Sequence, residues 1–386
     1  MQLTCVQKYL SEGLAAVGRA ISSRSTLPIL SNVLLTADRD QGQLQLTATN
    51  LEIGISYRVR ASVDESGSFT LPAKFFAEFV KSLPPGDVKL TLPKDSTTMQ
   101  IAGLRSRATM HGQDAAEFPV IPTIPDAAAT ISLECNTLKE AIESVAFAAA
   151  EDESRPVLNG ILVHREGEEG ELLTFAAADA FNLAVRSYLM PDMPEEALRM
   201  GVLIPARTLV ELARILPAEE QVEMIVTPGL NQVLFHTANL DLVSRLIEGA
   251  FPNYRQIIPP SYGTRARLET KAFAEIVKSA ALFASSSSNI LRVSIVPKGE
   301  EGLGNGYVQL EASSEDLGNS VSTLDAAVEG AELQIVLNVK YLAEALSSIQ
   351  TSEVALEVSS ASRPVVLRPV GPEKQCCVIM PMHVNR

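Results

Sequence analysis

The chain has 386 residues, 46% of them hydrophobic and 20% charged, enough to bury cores in two or three domains without metal or disulfide staples. Its 32 Lys and Arg against 46 Asp and Glu leave a net charge of −14, which excludes a generic polycation but allows a locally basic surface. Composition also excludes collagen-like, disordered and disulfide-scaffold classes.

In chain order, a helix-like segment over 6–21 opens the sequence. An apolar strand-like run follows at 29–35, then alternating segments at 44–49 and 53–59. A second helix begins near Leu71-Pro72-Ala73-Lys74-Phe75-Phe76, and a further strand follows at 88–92. The same series returns: a helix over 136–150, strands at 158–163, 172–177 and 183–188, a helix from Ile204-Pro205-Ala206-Arg207, and a strand at 221–226. It returns again, with helix 270–284, strands 291–296, 308–312 and 320–324, a helix from Leu337-Asn338-Val339-Lys340, and a strand at 354–358. Lys74, Arg207 and Lys340 are separated by 133 residues each time. The chain is therefore read as three tandem α+β units of about 130 residues, 1–125, 126–260 and 261–386. Pro-rich stretches at 118–125 and 251–260 are expected to be the joints. Internal threefold repetition favours a closed or ring-like assembly over three unrelated domains.

Each repeated helix carries its cation in the first turn, the unfavourable end of the helix dipole. Two explanations stand. A carboxylate four residues on (Glu78, Glu211, Glu344) pairs with it, or an external polyanion faces all three. Lys81 and Arg214 extend the stripe, and Lys8, Arg19, Arg24, Lys139, Arg155, Lys271 and Lys278 add basic residues to the other helical segments. An acidic chain with recurring basic helix starts is expected to gather them on one surface, suited to sequence-independent phosphate contacts.

No catalytic or metal-ligating constellation is found. His111, His164, His236 and His383 are scattered, and no phosphate-binding loop is present. Gly302-Leu303-Gly304-Asn305-Gly306 reads as a hairpin turn, Ser285 to Ser288 as a loop, and Asp179, Glu315 and Glu52 as turn residues. Cys5, Cys135, Cys376 and Cys377 have no ligand spacing and are expected to be reduced thiols of a cytoplasmic protein. Neither a secretory signal nor a membrane span is expected. The end, Val378-Ile379-Met380-Pro381-Met382-His383-Val384, is read as a last strand through Ile379, with Met380 and Met382 at an edge where they either pack or dock a peptide.

These residues resemble the bacterial DNA polymerase III β subunit family, the sliding clamps, over essentially the whole chain. The resemblance rests on Thr26-Leu27-Pro28-Ile29-Leu30, the Leu71 to Phe76 block, Leu158-Asn159-Gly160, Phe251-Pro252-Asn253-Tyr254-Arg255, Asn338-Val339-Lys340-Tyr341 and Met380-Pro381-Met382. It implies three similar domains per subunit and a head-to-tail homodimer closing a six-domain ring, helices inside and sheets outside. Such a ring is a non-catalytic processivity factor without cofactor, encircling double-stranded DNA regardless of sequence. It implies Arg24, Lys74, Arg207 and Lys340 facing DNA. It also implies a pocket between domains 2 and 3, walled by Leu158, Leu183, Pro252, Ile257, Val378, Met380, Pro381 and Met382, with Asn338 and Tyr341 nearby. That pocket would dock motifs of the polymerase III α subunit, the clamp loader, other polymerases and repair proteins. The subunit joint would involve Met110 and Phe283. The chain departs from the family pattern at Ala180, Phe181, Asn182, Gln256 and His383, so its pocket is expected to be more apolar and less basic. A non-DNA docking scaffold and a hydrolase using Asp179 and Glu315 are the competing readings.

Overall fold

The computed structural model describes residues 1–21, 27–121, 130–152, 154–191, 193–194, 198, 201–227, 231–286, 288–297 and 306–382. Each repeat copy is built in one order. The first copy holds β1 (Gln2–Val6), α1 (Gln7–Val17), β2 (Asn32–Asp38), β3 (Gln43–Thr49), β4 (Ile53–Glu65), β5 (Gly67–Pro72), α2 (Ala73–Ser82), β6 (Asp87–Thr91), β7 (Thr98–Ala102) and β8 (Arg107–His111). The second holds β9 (Thr130–Glu134), α3 (Cys135–Val145), β10 (Gly160–Glu166), β11 (Leu172–Ala178), β12 (Asn182–Leu189), β13 (Val202–Pro205), α4 (Ala206–Ile215), β14 (Gln221–Val226), β15 (Gln232–His236) and β16 (Leu240–Arg245). The third holds β17 (Thr264–Glu269), α5 (Thr270–Ala284), β18 (Ile290–Val296), β19 (Gly306–Ser314), β20 (Gly318–Gly330), β21 (Leu333–Asn338), α6 (Val339–Ser347), β22 (Glu353–Val358), β23 (Val365–Pro369) and β24 (Lys374–Ile379).

Two compact units result, Met1–Thr137 with Glu211–Leu246, and Leu138–Val210 with Ile247–Arg386. The first contains an antiparallel sheet in the order β8-β7-β6-β1-β4-β16-β15-β14-β9, with β2, β3 and β5 attached. The second contains β13-β10-β11-β12-β24-β23-β22-β17-β20-β19-β18-β21. The second repeat copy thus gives strands to both sheets, joined to the first copy through β4–β16 and to the third through β12–β24.

Helices lie on these sheets through stripes at helical spacing. α5 buries Phe273, Val277, Ala280 and Ala284, α2 buries Ala73, Phe76 and Val80, and α6 buries Val339, Leu342, Ala345 and Leu346. α1 packs beside α2 and over β4 at close range. A Cβ on Gly13 would lie 2.8 Å from Leu46 Cδ1 and 2.9 Å from Tyr57 Cδ1, so a residue poor in helix propensity is required there.

Four expectations change. The runs at 29–35 and 158–163 begin as 3-10 turns, Pro28–Ser31 and Pro156–Asn159, because proline fits the first turn of a helix, and only then become β2 and β10. Strands that the sequence analysis does not assign precede each first helix (β1, β9, β17) and each second helix (β5, β13, β21). Residues 251–260 are not a plain joint, since Tyr254 is 3% exposed and belongs to the core of the second unit. Finally, β24 lies between β12 and β23 inside the sheet, so the segment after it leaves the middle of the sheet instead of an edge.

All four cysteines, Cys5, Cys135, Cys376 and Cys377, are buried. Burial pushes the thiols of Cys5 and Cys377 up to about 12 and that of Cys376 to about 11. Among the described residues no helix is long and apolar enough to cross a membrane.

Two outcomes are expected. Gly13→Ala improves helix propensity yet should lower stability by about 1–3 kcal/mol through overpacking, read as a lower urea midpoint; an unchanged or higher midpoint would contradict the close approach. Native protein at pH 8 should react slowly with Ellman's reagent and release four equivalents only when denatured.

Candidate functional site

The repeated basic helix starts are built as the sequence suggests. Pro72 precedes α2, Pro205 precedes α4, and the Asn338 side chain caps α6 by accepting the Lys340 N–H at 2.9 Å. Lys74, Arg207 and Lys340 are all exposed on the first turn. The (i, i+4) pairing explanation holds in the third copy alone, with Lys340 Nζ 3.8 Å from Glu344 Oε1. Glu211 is held instead by Arg214 at 2.7 Å and Arg19 at 3.2 Å, and Lys74 makes no ion pair with Glu78. Arg24 and His383 lie outside the described residues.

The expected pocket residues all fall in the second unit, in two roles. Leu183 on β12 and Val378 on β24 are cross-strand partners, both buried, in a cluster with Ala176, Ala178, Val185, Val366, Cys376 and Tyr254. Phe251 and Ile258 pack against that cluster. Leu158 is buried in its 3-10 turn. These form a floor, whereas Pro252, Ile257 and Met380 are exposed, and Pro381 and Met382 are half-buried. The end of the chain is anchored at two points: the Met380 N–H donates to the Phe181 carbonyl and the Met382 N–H to the Val336 carbonyl, each at 2.8 Å. Phe181 stacks on Tyr341 with ring centroids 6.3 Å apart. Thus Phe181 adds an aromatic surface beside Met380, and Asn338 serves as the cap of α6.

Sequence reasoning missed what holds the segment carrying Pro252 and Ile257. The His164 ring on β10 meets the Tyr254 hydroxyl through Nε2 at 2.9 Å. Its Nδ1 lies 2.9 Å from the Arg165 carbonyl, an acceptor only, so Nδ1 carries the proton and Nε2 accepts from Tyr254. Next to it Arg255 Nε donates to Glu166 at 2.7 Å, and the Thr174 hydroxyl donates to the same carboxylate at 3.1 Å. Burial, with Arg255 adding, holds His164 below its ordinary value against the Arg165 carbonyl and Glu166. Burial also pushes the Tyr254 hydroxyl up to about 12. Burial alone would raise Glu166, but Arg255 and Thr174 outweigh it and hold the carboxyl low. The only signal in the sequence was the Phe251-to-Arg255 motif, and nothing in it points to a histidine 90 residues earlier.

Asp179 accepts from the Phe181 and Asn182 amides at 2.6 and 2.7 Å, a turn role. Among the described residues no group of three or more His, Cys, Asp or Glu is placed to hold a metal ion. Met110 on β8 is 4% exposed and faces its own core, while β8 ends its sheet and presents Arg107, Thr109 and His111 with an edge. On α5, Phe283 is half-buried and its neighbour Leu282 is 69% exposed.

Comparison with known proteins bears on this arrangement. Residues 1–122 match the family model for the DNA polymerase III beta subunit, N-terminal domain, residues 132–253 the central domain and residues 255–383 the C-terminal domain. The beta sliding clamp of Synechocystis sp. is 33% identical over 399 residues and covers 100% of both chains, and that of Staphylococcus aureus is 31% identical over 99% of both. The crystal structure of the Bacillus subtilis DNA polymerase sliding clamp superposes with a TM-score of 0.90 at 28% identity over 100% of both chains. A Pseudomonas aeruginosa sliding clamp bound to griselimycin gives 0.89 at 26% identity, again over 100% of both. With family models covering each repeat copy and curated relatives matching end to end, the chain belongs to the DNA polymerase III beta subunit family, the bacterial sliding clamps.

Proposed function

We propose that two copies of this chain close head to tail into a six-domain ring around duplex DNA, helices lining the hole and sheets forming the rim. The domains would be 1–125, 126–260 and 261–386, the polymerase would be tethered topologically, and the protein would act in the cytoplasm without catalysing a reaction. The observation that carries this reading is the exposed cation on the first turn of α2, α4 and α6, at constant spacing in a chain of net charge −14. Lys74, Arg207 and Lys340, with Arg24, would contact phosphates loosely and interchangeably, as a sliding ring requires. The joint would use the open edge of β8, with Arg107 and Thr109 rather than the inward Met110, against the end of α5 at Leu282 and Phe283. Motifs of the polymerase α subunit, the clamp loader and repair proteins would dock over the Leu183–Val378 floor between Ile257, Met380 and Phe181.

The reading is tested by light scattering and by retention on DNA. A dimer loaded onto nicked circular DNA should remain bound and be lost on linearisation; a monomer, or retention indifferent to DNA ends, would overturn it. The Lys74→Glu, Arg207→Glu and Lys340→Glu triple variant should stay dimeric while its binding to linear duplex weakens. Its dependence on salt should flatten by about 0.9 per phosphate contact removed.

The strap behind the pocket gives a pH dependence. His164 binds its proton less readily when folded than the 6.5 of an unperturbed histidine, so below about pH 6.5 the unfolded chain holds more protons. The stability that depends on neutral His164 is therefore complete above that pH and lost as pH falls. Tyr254→Phe leaves Nε2 without its donor and should cost about 1–3 kcal/mol at pH 7.5. His164→Gln should flatten the fall in urea midpoint between pH 7 and 5; an unchanged slope would remove His164 as its source.

A further inference from the structure

The sheets of the two units repeat one local pattern. Strands β2, β3, β4, β16 and β15 of the first unit stand in the register of β10, β11, β12, β24 and β23 of the second: Leu34 faces Thr47 as Leu162 faces Ala176, and Gly54 faces Val243 as Leu183 faces Val378. What covers the two sheets differs. In the second unit Tyr254 lies buried on Ala176, Val185 and Cys376 and reaches His164. The corresponding positions in the first unit are Thr47, Ser56, Asp241 and Thr36.

Among the described residues, the covering segment of the first unit also meets its sheet sooner. Between the Phe-Pro pair and the isoleucine that packs on the sheet, 251–258 carries five residues, Asn253 to Ile257, and 118–121 carries only Val120. Ile121 settles onto Gly54, its Cδ1 3.0 Å from where a Cβ would lie. Among the described residues, a cavity of about 620 Å³ is lined by Thr36, Thr47, Ser56 and Asp241, with Phe118 and Ile121 on the apolar side.

The floor is ordered and polar. Thr47 and Ser56 hydroxyls lie 3.0 Å apart, and Asp241 is held between Arg58 Nη2 at 3.1 Å and His236 Nδ1 at 2.5 Å. Arg58 is fixed further by the Thr237 carbonyl at 3.1 Å. The carboxylate is thus occupied, while the threonine and serine hydroxyls keep capacity to bond an incoming group. The second unit shows what fits a space of this kind on this sheet: a tyrosine carried on a single turn, ring on the sheet and hydroxyl on β10. Replacing alanine, valine and cysteine by hydroxyl and carboxylate side chains favours an occupant with a polar tip over a purely apolar one.

We propose that this cavity of the first unit is a docking site for a tyrosine-bearing turn of a partner protein, the counterpart in trans of the turn that carries Tyr254. The site is separate from the Leu183–Val378 pocket and does not depend on it.

The test uses the full-length protein with methyl-labelled Ile, Leu and Val, and a synthetic peptide of residues 249–259 with its Tyr254→Phe and Tyr254→Ala versions. The parent peptide should shift the methyl signals of Leu34, Ile121 and Val243, with affinity falling from Tyr to Phe to Ala by at least tenfold overall. Ser68→Trp, at an exposed position on the cavity wall, should weaken binding at least tenfold, and Val120→Lys should weaken it from the opposite rim. Equal affinity for the Tyr and Ala peptides, shifts confined to the second unit, or binding unaffected by both variants would overturn the proposal. N-acetyl-tyrosinamide binding as tightly as the peptide would also overturn it, since a small-phenol site would then suffice.

Discussion

The architecture depends on the backbone ladders that join one repeat copy to the next. β4 pairs with β16 and β12 with β24 in matching register, so no copy keeps its own sheet to itself. Unpaired backbone groups are costly when buried, and separating the copies would strip both partners of a ladder in mid-sheet. The ladders also bring residues far apart in sequence, such as Gly54 and Val243, onto adjacent strands and set the segments 118–121 and 251–258 over the sheet faces. The end of the chain belongs to this scheme: β24 is interior, and the residues after Ile379 emerge beside β12 with Met380 bonded to Phe181.

Charge is used in two ways. Arg58 and Arg255 are locked to carboxylates and carbonyls and fix loops and strand ends. Lys74 and Arg207 stand exposed at helix starts where the dipole opposes them, and Lys340 has only a long contact to Glu344. A cation kept solvated at some cost to its helix stays free for the loose, interchangeable phosphate contacts proposed above.

The same strand pattern carries different chemistry in the two units. Where the second has Ala176, Val185 and Cys376 under Tyr254, the first has Thr47, Ser56 and Asp241 beneath open space, with Gly54 admitting Ile121 where Leu183 stands in the other. Repetition preserved the backbone, whose hydrogen bonding is indifferent to side chains, and left the faces free to diverge.

Much of this was legible in the sequence. Apolar spacing along helices such as Phe273, Val277, Ala280 and Ala284 is local, so the repeat order of helices and longer strands could be read directly, as could the three cations and the apolar end. The first-turn prolines, Pro28 and Pro156, shifted two strand starts because local backbone restriction overrode an apolar run. What the sequence could not show is who meets whom. His164 and Tyr254 are 90 residues apart, Glu211 pairs with Arg214 and the distant Arg19 in place of Arg207, and Met110 pointed inward on an edge strand. Period and propensity are properties of neighbours along the chain, whereas ladder register, burial of a histidine and the space beneath a covering segment arise from long-range pairing. The sequence by itself determined the repeated elements and their charges; only the tertiary structure decided which sheet the second copy completes, and on which face a tyrosine is buried or a cavity left open.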